Sequence, residues 1–301
     1  MTSRASAPGK IVLAGEYAVL WGAPAVCMAI DRRATATLRT STDGACHVTA
    51  PGFAGAERFR LVDAVTGGRR PAFDIELDTR PFMVRGRKTG IGSSAALTAA
   101  LLAALGNTTD VYASALVAHR QLQGGAGSGI DVAAAVHGGL FEYEMPTHSV
   151  RALAWPEGLA CRAIWTGVPS STTDKLARLA SAEPRPSRSA LSRAATRMRD
   201  AWRTGAADRI LEEYIDYVGV LRRFSVDHDL GIFDAGHDEL TDAAMVDDLV
   251  YKPAGAGGGD IGMLFGRDDA ALDAFIDRHA AIVGSVVPCA LDLTGVRLEP
   301  Q

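Results

Sequence analysis

A short glycine- and serine-rich segment constrains this chain more than any other stretch of its sequence. Two glycines and two serines follow Lys88 and lead directly into an apolar run that ends at Leu105. Leucines in this run are spaced as on one face of a helix, which predicts a loop that opens a buried helix. Glycines let a backbone approach a ligand closely, and the first amides of a helix have no partner inside it. The segment therefore predicts a phosphate-binding loop formed by Gly90, Ile91, Gly92, Ser93, Ser94 and Ala95.

The same residues also fit an ordinary turn, in which Ser93 or Ser94 caps a core helix. Short loops of glycine and serine are common, and this one lacks the Walker spacing. Two further glycine-rich stretches, at 124–129 and 255–259, favour the ligand-binding interpretation.

Composition and charge exclude several classes of partner. The chain has 301 residues and a formal net charge of −4, which argues against a general affinity for nucleic acid or acidic membranes. No segment near the start resembles a signal peptide, and the apolar run over 95–105 is too short to cross a bilayer. The four cysteines show neither metal nor redox spacing. We therefore expect a cytoplasmic protein with reduced thiols, no nucleic-acid or membrane partner, and a monomeric or homodimeric state.

The order of apolar segments predicts an α+β chain with two domains. The first hundred residues read mostly as strands, whereas helices dominate the second half. The pattern weakens near residue 150, so we place the domains at 1–150 and 151–301. Strands are predicted over 11–13, 34–40, 47–49, 73–77, 140–143, 163–168, 261–265 and 286–293. Helices are predicted over 95–105, 110–123, 132–136, 174–182, 187–204, 206–224, 237–247 and 270–283.

Three separated segments resemble the sequence motifs of the GHMP kinases, the family of galactokinase, homoserine kinase and mevalonate kinase. The first is Pro8-Gly9-Lys10 with Gly15-Glu16-Tyr17-Ala18-Val19, the second is the glycine–serine loop, and the third is 255–259. They occur in the family's order and span most of the chain. The resemblance implies an N-terminal domain like the second domain of ribosomal protein S5, plus a ferredoxin-like C-terminal domain.

The resemblance also implies a reaction. Lys88 before the loop, the run 127–133 and the run 169–172 resemble the branch of the family whose acceptor is 5-phosphomevalonate. That branch uses ATP and Mg²⁺ to form 5-diphosphomevalonate in the mevalonate pathway of isoprenoid biosynthesis. Three alternatives stay open: mevalonate kinase or another small-molecule kinase of the family, a diphosphomevalonate decarboxylase, and a non-catalytic nucleotide-binding regulator.

Phosphoryl transfer depends on positioning and charge neutralisation, which gives the matching residues their expected roles. Lys10 and Lys88 are expected to hold the transferred and accepting phosphates as point charges, although a solvated lysine is the commoner case. Ser94 is the expected protein ligand for magnesium, with phosphate oxygens and waters completing its shell.

Asp131 is expected in the same site in one of two roles. Toward an alcohol it would act as a base, whereas a phosphate acceptor is already largely ionised, so Asp131 would only orient Lys10 and the acceptor. Its side chain fits equally a cap for the helix predicted from Val132. Other residues expected to bind the acceptor are Tyr17, Ser128, Gly129, Ser171, Thr172, Ala256 and Gly257. For the loop hydroxyls among them, a plain turn role fits equally well.

Several other charged residues carry weaker signals. Arg188, Arg193, Arg197 and Arg203 lie along one predicted helix. A solvated face is favoured there over contact with an anionic acceptor. Lys175 and Lys252 fit either role, and His119 and His137 are predicted to pack between helices.

Overall fold

The computed structural model describes residues 2–51, 57–106, 110–125, 127–183 and 185–300. Ala126, in the second glycine-rich stretch, lies outside these ranges. The chain forms two compact units. The first comprises Met1–Ile11, Met28–Gly139 and Ala290–Gln301, and the second comprises Val12–Cys27 and Leu140–Cys289. The division into domains at residue 150 stays a prediction.

Strands and helices are mixed along the chain, which confirms the predicted α+β class. In chain order, the strands are β1 (Thr2–Ala14), β2 (Ala25–Thr40), β3 (His47–Thr49), β4 (Phe73–Asp78), β5 (Met83–Val84), β6 (Arg87–Lys88), β7 (Leu140–Glu144), β8 (Ser149–Leu153), β9 (Ala160–Trp165), β10 (Val250–Pro253), β11 (Ile261–Gly266), β12 (Ser285–Val287) and β13 (Arg297–Leu298). The helices are α1 (Glu57–Thr66), α2 (Ser93–Ala104), α3 (Val111–Leu122), α4 (Ile130–His137), α5 (Thr172–Ser181), α6 (Pro186–Thr204), α7 (Ala207–Asp227), α8 (His237–Val246) and α9 (Asp269–Arg278). Short 3₁₀ turns cover Ala18–Trp21 and Arg80–Phe82.

The sheet of the first unit has the strand order β13-β1-β2-β4-β3. Strands β2 and β4 are antiparallel, with Leu38 opposite Ile75, and β3 runs parallel to β4 with Val48 opposite the same residue. Along β2, Ala34, Ala36 and Leu38 are buried, while the threonines between them are partly exposed. A strand with one covered face requires this alternation, and the strand predicted over 34–40 is confirmed.

Helix α2 is buried on all sides within the first unit. Every residue from Ala95 to Ala104 is buried, and α1, α3 and α4 pack around the helix. One cluster in this packing joins Ala95 and Leu102 to Ala115 of α3 and Val132 of α4. A helix that is apolar all round needs such cover, so the buried helix predicted after the glycine loop is confirmed.

The second unit contains the antiparallel sheet β10-β11-β9-β12. Ile164, Leu264 and Tyr251 of this sheet pack with residues of α8 and α9. Tyr214 of α7 stacks on Phe265 of β11, with ring centroids 4.7 Å apart. A two-residue turn joins α6 to α7, and the helices pack along their length, so they form an antiparallel hairpin. The start of α6 therefore lies at the same end of the hairpin as the end of α7.

Sequence patterns missed one helix and misplaced several boundaries. Helix α1 was not predicted. Leu61 and Val62 are buried in it, but charged residues at 58, 60 and 63 interrupt the apolar pattern around them. The closing strand predicted over 286–293 is confined to β12, since Pro288 has no amide hydrogen to continue the ladder. None of the described helices combines the length and apolar character needed to cross a membrane.

Candidate functional site

The glycine–serine loop meets α2 without a side-chain cap. Gly92 is the N-cap residue, with a φ of 88°, a left-handed conformation that favours glycine. Because the loop ends there, Ser93 and Ser94 are the first two helical residues, and the alternative in which either serine caps the helix is wrong. The first turn carries no acidic residue. The first amides and the positive end of the helix dipole are thus available to an anion.

Lys10 lies directly against this loop. Its backbone amide donates to the carbonyl of Ile91 at 2.8 Å. A Cβ on Gly92 would lie 3.1 Å from Cγ of Lys10, and a Cβ on Gly9 would lie 2.6 Å from the carbonyl oxygen of Ile91. Gly9 is therefore needed for this close approach, whereas Gly92 is needed for its left-handed backbone conformation. The Pro8-Gly9-Lys10 part of the predicted first motif is thus packed on the predicted phosphate loop.

Lys88 lies at the end of a short β-hairpin that precedes the loop. It is the exposed last residue of β6, which pairs with β5. The hydroxyl of the buried Thr89 donates to the carbonyl of Phe82 at 2.9 Å, which ties the hairpin to the start of the loop. The expected contact of Lys88 with a phosphate stays a prediction.

Asp131 lies in the first turn of α4 and does not cap it. The helix begins at Ile130, with Gly129 as its N-cap at a φ of 80°, so the predicted start at Val132 with Asp131 as cap is wrong. Oδ1 of Asp131 accepts from the amide of Val132 at 3.0 Å, and Oδ2 lies 3.7 Å from Nε2 of His119. The buried His119 of α3 therefore lies beside the Asp131 carboxylate of α4.

The predicted hydroxyl ligands lie in turns and at a helix start. Oγ of Ser128 accepts from the amide of Ile130 at 3.4 Å. Ser171 is the N-cap residue of α5, where its Oγ accepts from the amide of Asp174 at 3.3 Å, and Thr172 is the first helical residue. The sequence left such turn and cap roles open, and binding of an acceptor by these hydroxyls stays a prediction.

Three side chains of the second unit donate hydrogen bonds to carbonyl groups of the third glycine loop, residues 255–259. These hydrogen bonds join Tyr17 to Ala256 at 2.6 Å, Ser170 to Gly257 at 2.6 Å and His237 to Gly259 at 2.9 Å. The carbonyl and amide of a trans peptide point in opposite directions, so the bond from Tyr17 turns the amide of Gly257 away from Tyr17. Tyr17, Ala256 and Gly257, all predicted from the sequence, are thus brought together.

His237 carries no sequence signal, yet it is one of the supports of the third glycine loop. A carbonyl can only accept, so Nε2 of the ring carries the hydrogen that bonds Gly259, and Nδ1 accepts from Oη of Tyr251 at 2.8 Å. Burial lowers the pKa of His237 to about 4, because a charged ring would lose its solvation there. The ring is therefore neutral at physiological pH.

A buried ion pair lies next to Tyr17 in the sequence. Nζ of Lys252 donates to Oε1 of Glu16, and Oη of Tyr217 donates to Oε2 at 2.6 Å. The two charged side chains are 0% and 2% exposed. Burial lowers the pKa of Lys252, and the charge of Glu16 opposes that shift. Lys252 thus has a structural partner, and Lys175 likewise donates to backbone carbonyls of residues 230 and 231.

The side chains near the glycine–serine loop fit a magnesium ion that is coordinated mainly by the phosphate oxygens of a bound molecule and by water. Among the residues that the structure describes, no three His, Cys, Asp or Glu side chains come together to hold a metal ion. Ser94, beside the uncapped amides of α2, offers one neutral hydroxyl. Magnesium accepts such a donor when phosphate oxygens and waters supply the rest of its shell.

Replacing His237 with glutamine should flatten the pH dependence of stability. In the wild-type protein, the unfolded chain binds a proton that the folded protein does not between pH 6.5 and about 4. The free energy of unfolding therefore falls as pH falls through that window, by up to about 1.4 kcal/mol per pH unit from this group. Urea unfolding at several pH values should show a shallower slope for His237→Gln. A His237→Gln protein that keeps the wild-type slope would contradict the assignment.

Comparison with known proteins places these features in a family. Residues 58–139 match the GHMP kinases N terminal domain. The phosphomevalonate kinase of Streptomyces sp. (strain CL190) is 28% identical over 362 aligned positions, which cover 95% of each chain. The mevalonate kinase of Methanothermobacter thermautotrophicus is 39% identical over 153 positions, 46% of this chain and 50% of that one. The structure of Streptococcus pneumoniae phosphomevalonate kinase with phosphomevalonate and AMPPNP has a TM-score of 0.81 at 18% identity, covering 97% of this chain and 99% of that one.

The chain has the GHMP kinase fold, and its residues 58–139 match the N-terminal domain of that family. The resemblance predicted from three motifs is therefore confirmed. Over almost its whole length, the chain is similar in sequence to a phosphomevalonate kinase.

Proposed function

We propose that this protein transfers the γ-phosphoryl group of ATP to 5-phosphomevalonate, forming 5-diphosphomevalonate and ADP in the mevalonate pathway. The observation that carries the proposal is Lys10 packed on the glycine loop at the uncapped start of α2. This arrangement offers amides, a positive helix end and a lysine charge in one place, as the phosphates of a nucleotide require. The similarity to a phosphomevalonate kinase over 95% of the chain supports the choice of acceptor.

The residues of the first unit supply the charge for the transfer. Residues 90–95 bind the phosphates of ATP, and Ser94 is the protein ligand of Mg²⁺. Bound magnesium neutralises negative charge on the phosphate oxygens. Lys10 stabilises the transferred phosphoryl group, and Lys88 holds the accepting phosphate. Both lysines act as point charges that reduce the repulsion between two anionic reactants.

The acceptor is bound by loop residues: Ser128, Gly129, Ser171, Thr172, Ala256 and Gly257. Tyr17 acts on the acceptor through the carbonyl of Ala256 that it holds, which makes it a positioning residue. Because this hydrogen bond turns the amide of Gly257 away from Tyr17, that amide is the group that donates to the acceptor.

Asp131 orients Lys10 and the acceptor and does not act as a base. A phosphate acceptor has a second pKa of about 6, so it needs no proton removed at neutral pH. We expect Asp131→Asn to lower kcat by about tenfold with 5-phosphomevalonate, well short of the 10²–10⁴-fold that a general base supplies. ADP release measures the effect. Asp208→Asn, at the same first-turn position of α7, is the control and should leave kcat unchanged.

A set of acceptors tests the proposal itself. Purified protein with ATP and Mg²⁺ should release ADP with 5-phosphomevalonate and not with mevalonate or homoserine. Turnover with another acceptor alone would reject 5-phosphomevalonate while sparing the class. Release of carbon dioxide would identify a decarboxylase, and tight binding of ATP without turnover of any acceptor would identify a regulator.

Mevalonate kinase is the second candidate function. The observation in its favour is the 39% identity to a mevalonate kinase over 46% of the chain. The acceptor there is an alcohol, so Asp131→Asn would then cause the larger of the two losses.

A further inference from the structure

The α6–α7 hairpin brings a cluster of cationic and aromatic side chains together within the second unit. Arg185 is the N-cap residue of α6, and His228 is the C-cap residue of α7. The Arg188 guanidinium carbon lies 4.1 Å from the centre of the Trp21 ring, which lies 5.7 Å from that of Phe224. Phe224 in turn packs on the ring of His228 at 4.7 Å. The start of α6 and the end of α7 therefore share one environment.

Two buried polar side chains in this environment have no hydrogen-bond partner among the residues that the structure describes. His228 is 7% exposed, and both of its ring nitrogens lack a partner. Ser187, in the first turn of α6, is 5% exposed, and its hydroxyl oxygen also lacks one. Buried polar groups in folded proteins are almost always paired, so these exceptions need an explanation. A ligand that accepts hydrogen bonds from both side chains would supply it.

The charges around these two side chains favour an anionic ligand. Burial lowers the pKa of His228, and the guanidinium groups of Arg185 and Arg188 lower it further, while the carboxylate of Asp227 opposes them. The start of α6 adds the positive end of its dipole, with no acidic residue in the first turn and no side-chain cap. The Arg188 guanidinium lies over the Trp21 ring. A guanidinium in contact with a ring through its face can still donate its N–H groups to an oxyanion at its edge.

We propose that Arg185, Ser187, Arg188 and His228 form a binding site for a phosphate group. Two guanidinium groups match the charge of about −2 that a phosphate monoester carries at pH 7, whereas a carboxylate would leave one cation unmatched. The hydroxyl of Ser187 and one N–H of the neutral His228 ring donate to further phosphate oxygens.

The phosphate has two possible sources with the same chemistry. Phe224 also packs on Tyr17, at 5.6 Å between ring centroids, and Tyr17 holds the carbonyl of Ala256. The phosphate of the acceptor is therefore one source; that outcome rests on the proposed function and would assign the accepting phosphate to this cluster instead of to Lys88. A separate phosphate ester that binds as an effector is the other.

Histidine-ring NMR of the whole protein tests the site without turnover. The His228 signal is assigned by its absence in His228→Phe and followed during titration with inorganic pyrophosphate, and separately with 5-phosphomevalonate. We expect a saturable shift whose dissociation constant rises at least about tenfold in Arg188→Gln, because a charge-assisted hydrogen bond is lost. Arg193→Gln, which removes one exposed charge from the same helix, is the matched control and should bind like the wild type.

Thermal unfolding of His228→Phe separates binding from folding. Phenylalanine removes two unpartnered nitrogens beside Phe224, so we expect a rise in Tm of about 2–4 °C without ligand. The wild-type protein should gain stability from pyrophosphate, and His228→Phe should gain much less.

Kinetics of Arg188→Gln then identify the source of the phosphate. A raised KM for 5-phosphomevalonate with an unchanged KM for ATP assigns the site to the acceptor, and an unchanged acceptor KM assigns it to a separate ester. A wild-type protein inactive on every acceptor would reject the proposed function and leave the titration valid. The proposal is overturned if His228 shows no saturable shift with either compound, or if Arg188→Gln and Arg193→Gln weaken binding equally.

Discussion

Replacing Lys10 with methionine is expected to lower kcat for transfer from ATP to 5-phosphomevalonate by on the order of 10²–10³-fold. The backbone of Lys10 is bonded to the carbonyl of Ile91, so the residue keeps its place beside the phosphate loop. Methionine retains the apolar stem that packs on Gly92 and removes only the ammonium charge. We expect the loss because transfer spreads negative charge over the oxygens of the transferred group, and the ammonium would stabilise that charge.

Arg4→Met is the matched control for this prediction. Arg4 lies on the same strand, six residues earlier, and its side chain is exposed. The variant loses one positive charge and should keep the wild-type kcat. Both variants should keep the wild-type Tm. A Lys10→Met protein that retains most of the wild-type kcat would show that Lys10 is only a packing residue.

Replacing Lys252 with methionine is expected to lower the free energy of unfolding by roughly 3–5 kcal/mol. The variant leaves the Glu16 carboxylate buried, with the hydroxyl of Tyr217 as its remaining described side-chain donor. An uncompensated charge in a closed environment loses its solvation and gains little in return. Urea unfolding at pH 7 measures the change.

The double variant Glu16→Gln with Lys252→Met is the control that separates the effect of the unpaired charge from the effect of the changed side-chain volume. Glutamine keeps an oxygen to accept from Tyr217, and no charge remains buried in the pair. We expect the double variant to be more stable than Lys252→Met alone, since a buried ion pair itself contributes little net stability. A double variant that loses the sum of the two single losses would contradict a coupled pair.

The elements nearest the phosphate loop were predictable because their signals are local. Apolar residues from Ala95 onward follow a glycine-rich turn without interruption, and such a run must become a buried helix. The caps were predicted less well. Serine and aspartate are common N-cap residues, so the sequence favoured them. The N-caps are instead the preceding glycines, Gly92 and Gly129, whose left-handed conformation ends each loop before the expected position.

The supports of the site could not be predicted because their partners are distant in the chain. Lys252 and Glu16 are 236 positions apart, and Tyr17 and Ala256 are 239 apart. Sequence periodicity reports which face of an element is buried, but not which buried group it meets. His237 and His228 show the same limit, since a single histidine in a helix or at its end has no pattern around it.

The most direct test of the central claim is a ³¹P NMR spectrum of the product formed from ATP and 5-phosphomevalonate. We predict that the monoester signal of the acceptor is replaced by the two coupled signals of a diphosphate, in step with ADP. ADP accompanied only by inorganic phosphate, with the acceptor signal unchanged, would contradict the claim that this chain phosphorylates 5-phosphomevalonate.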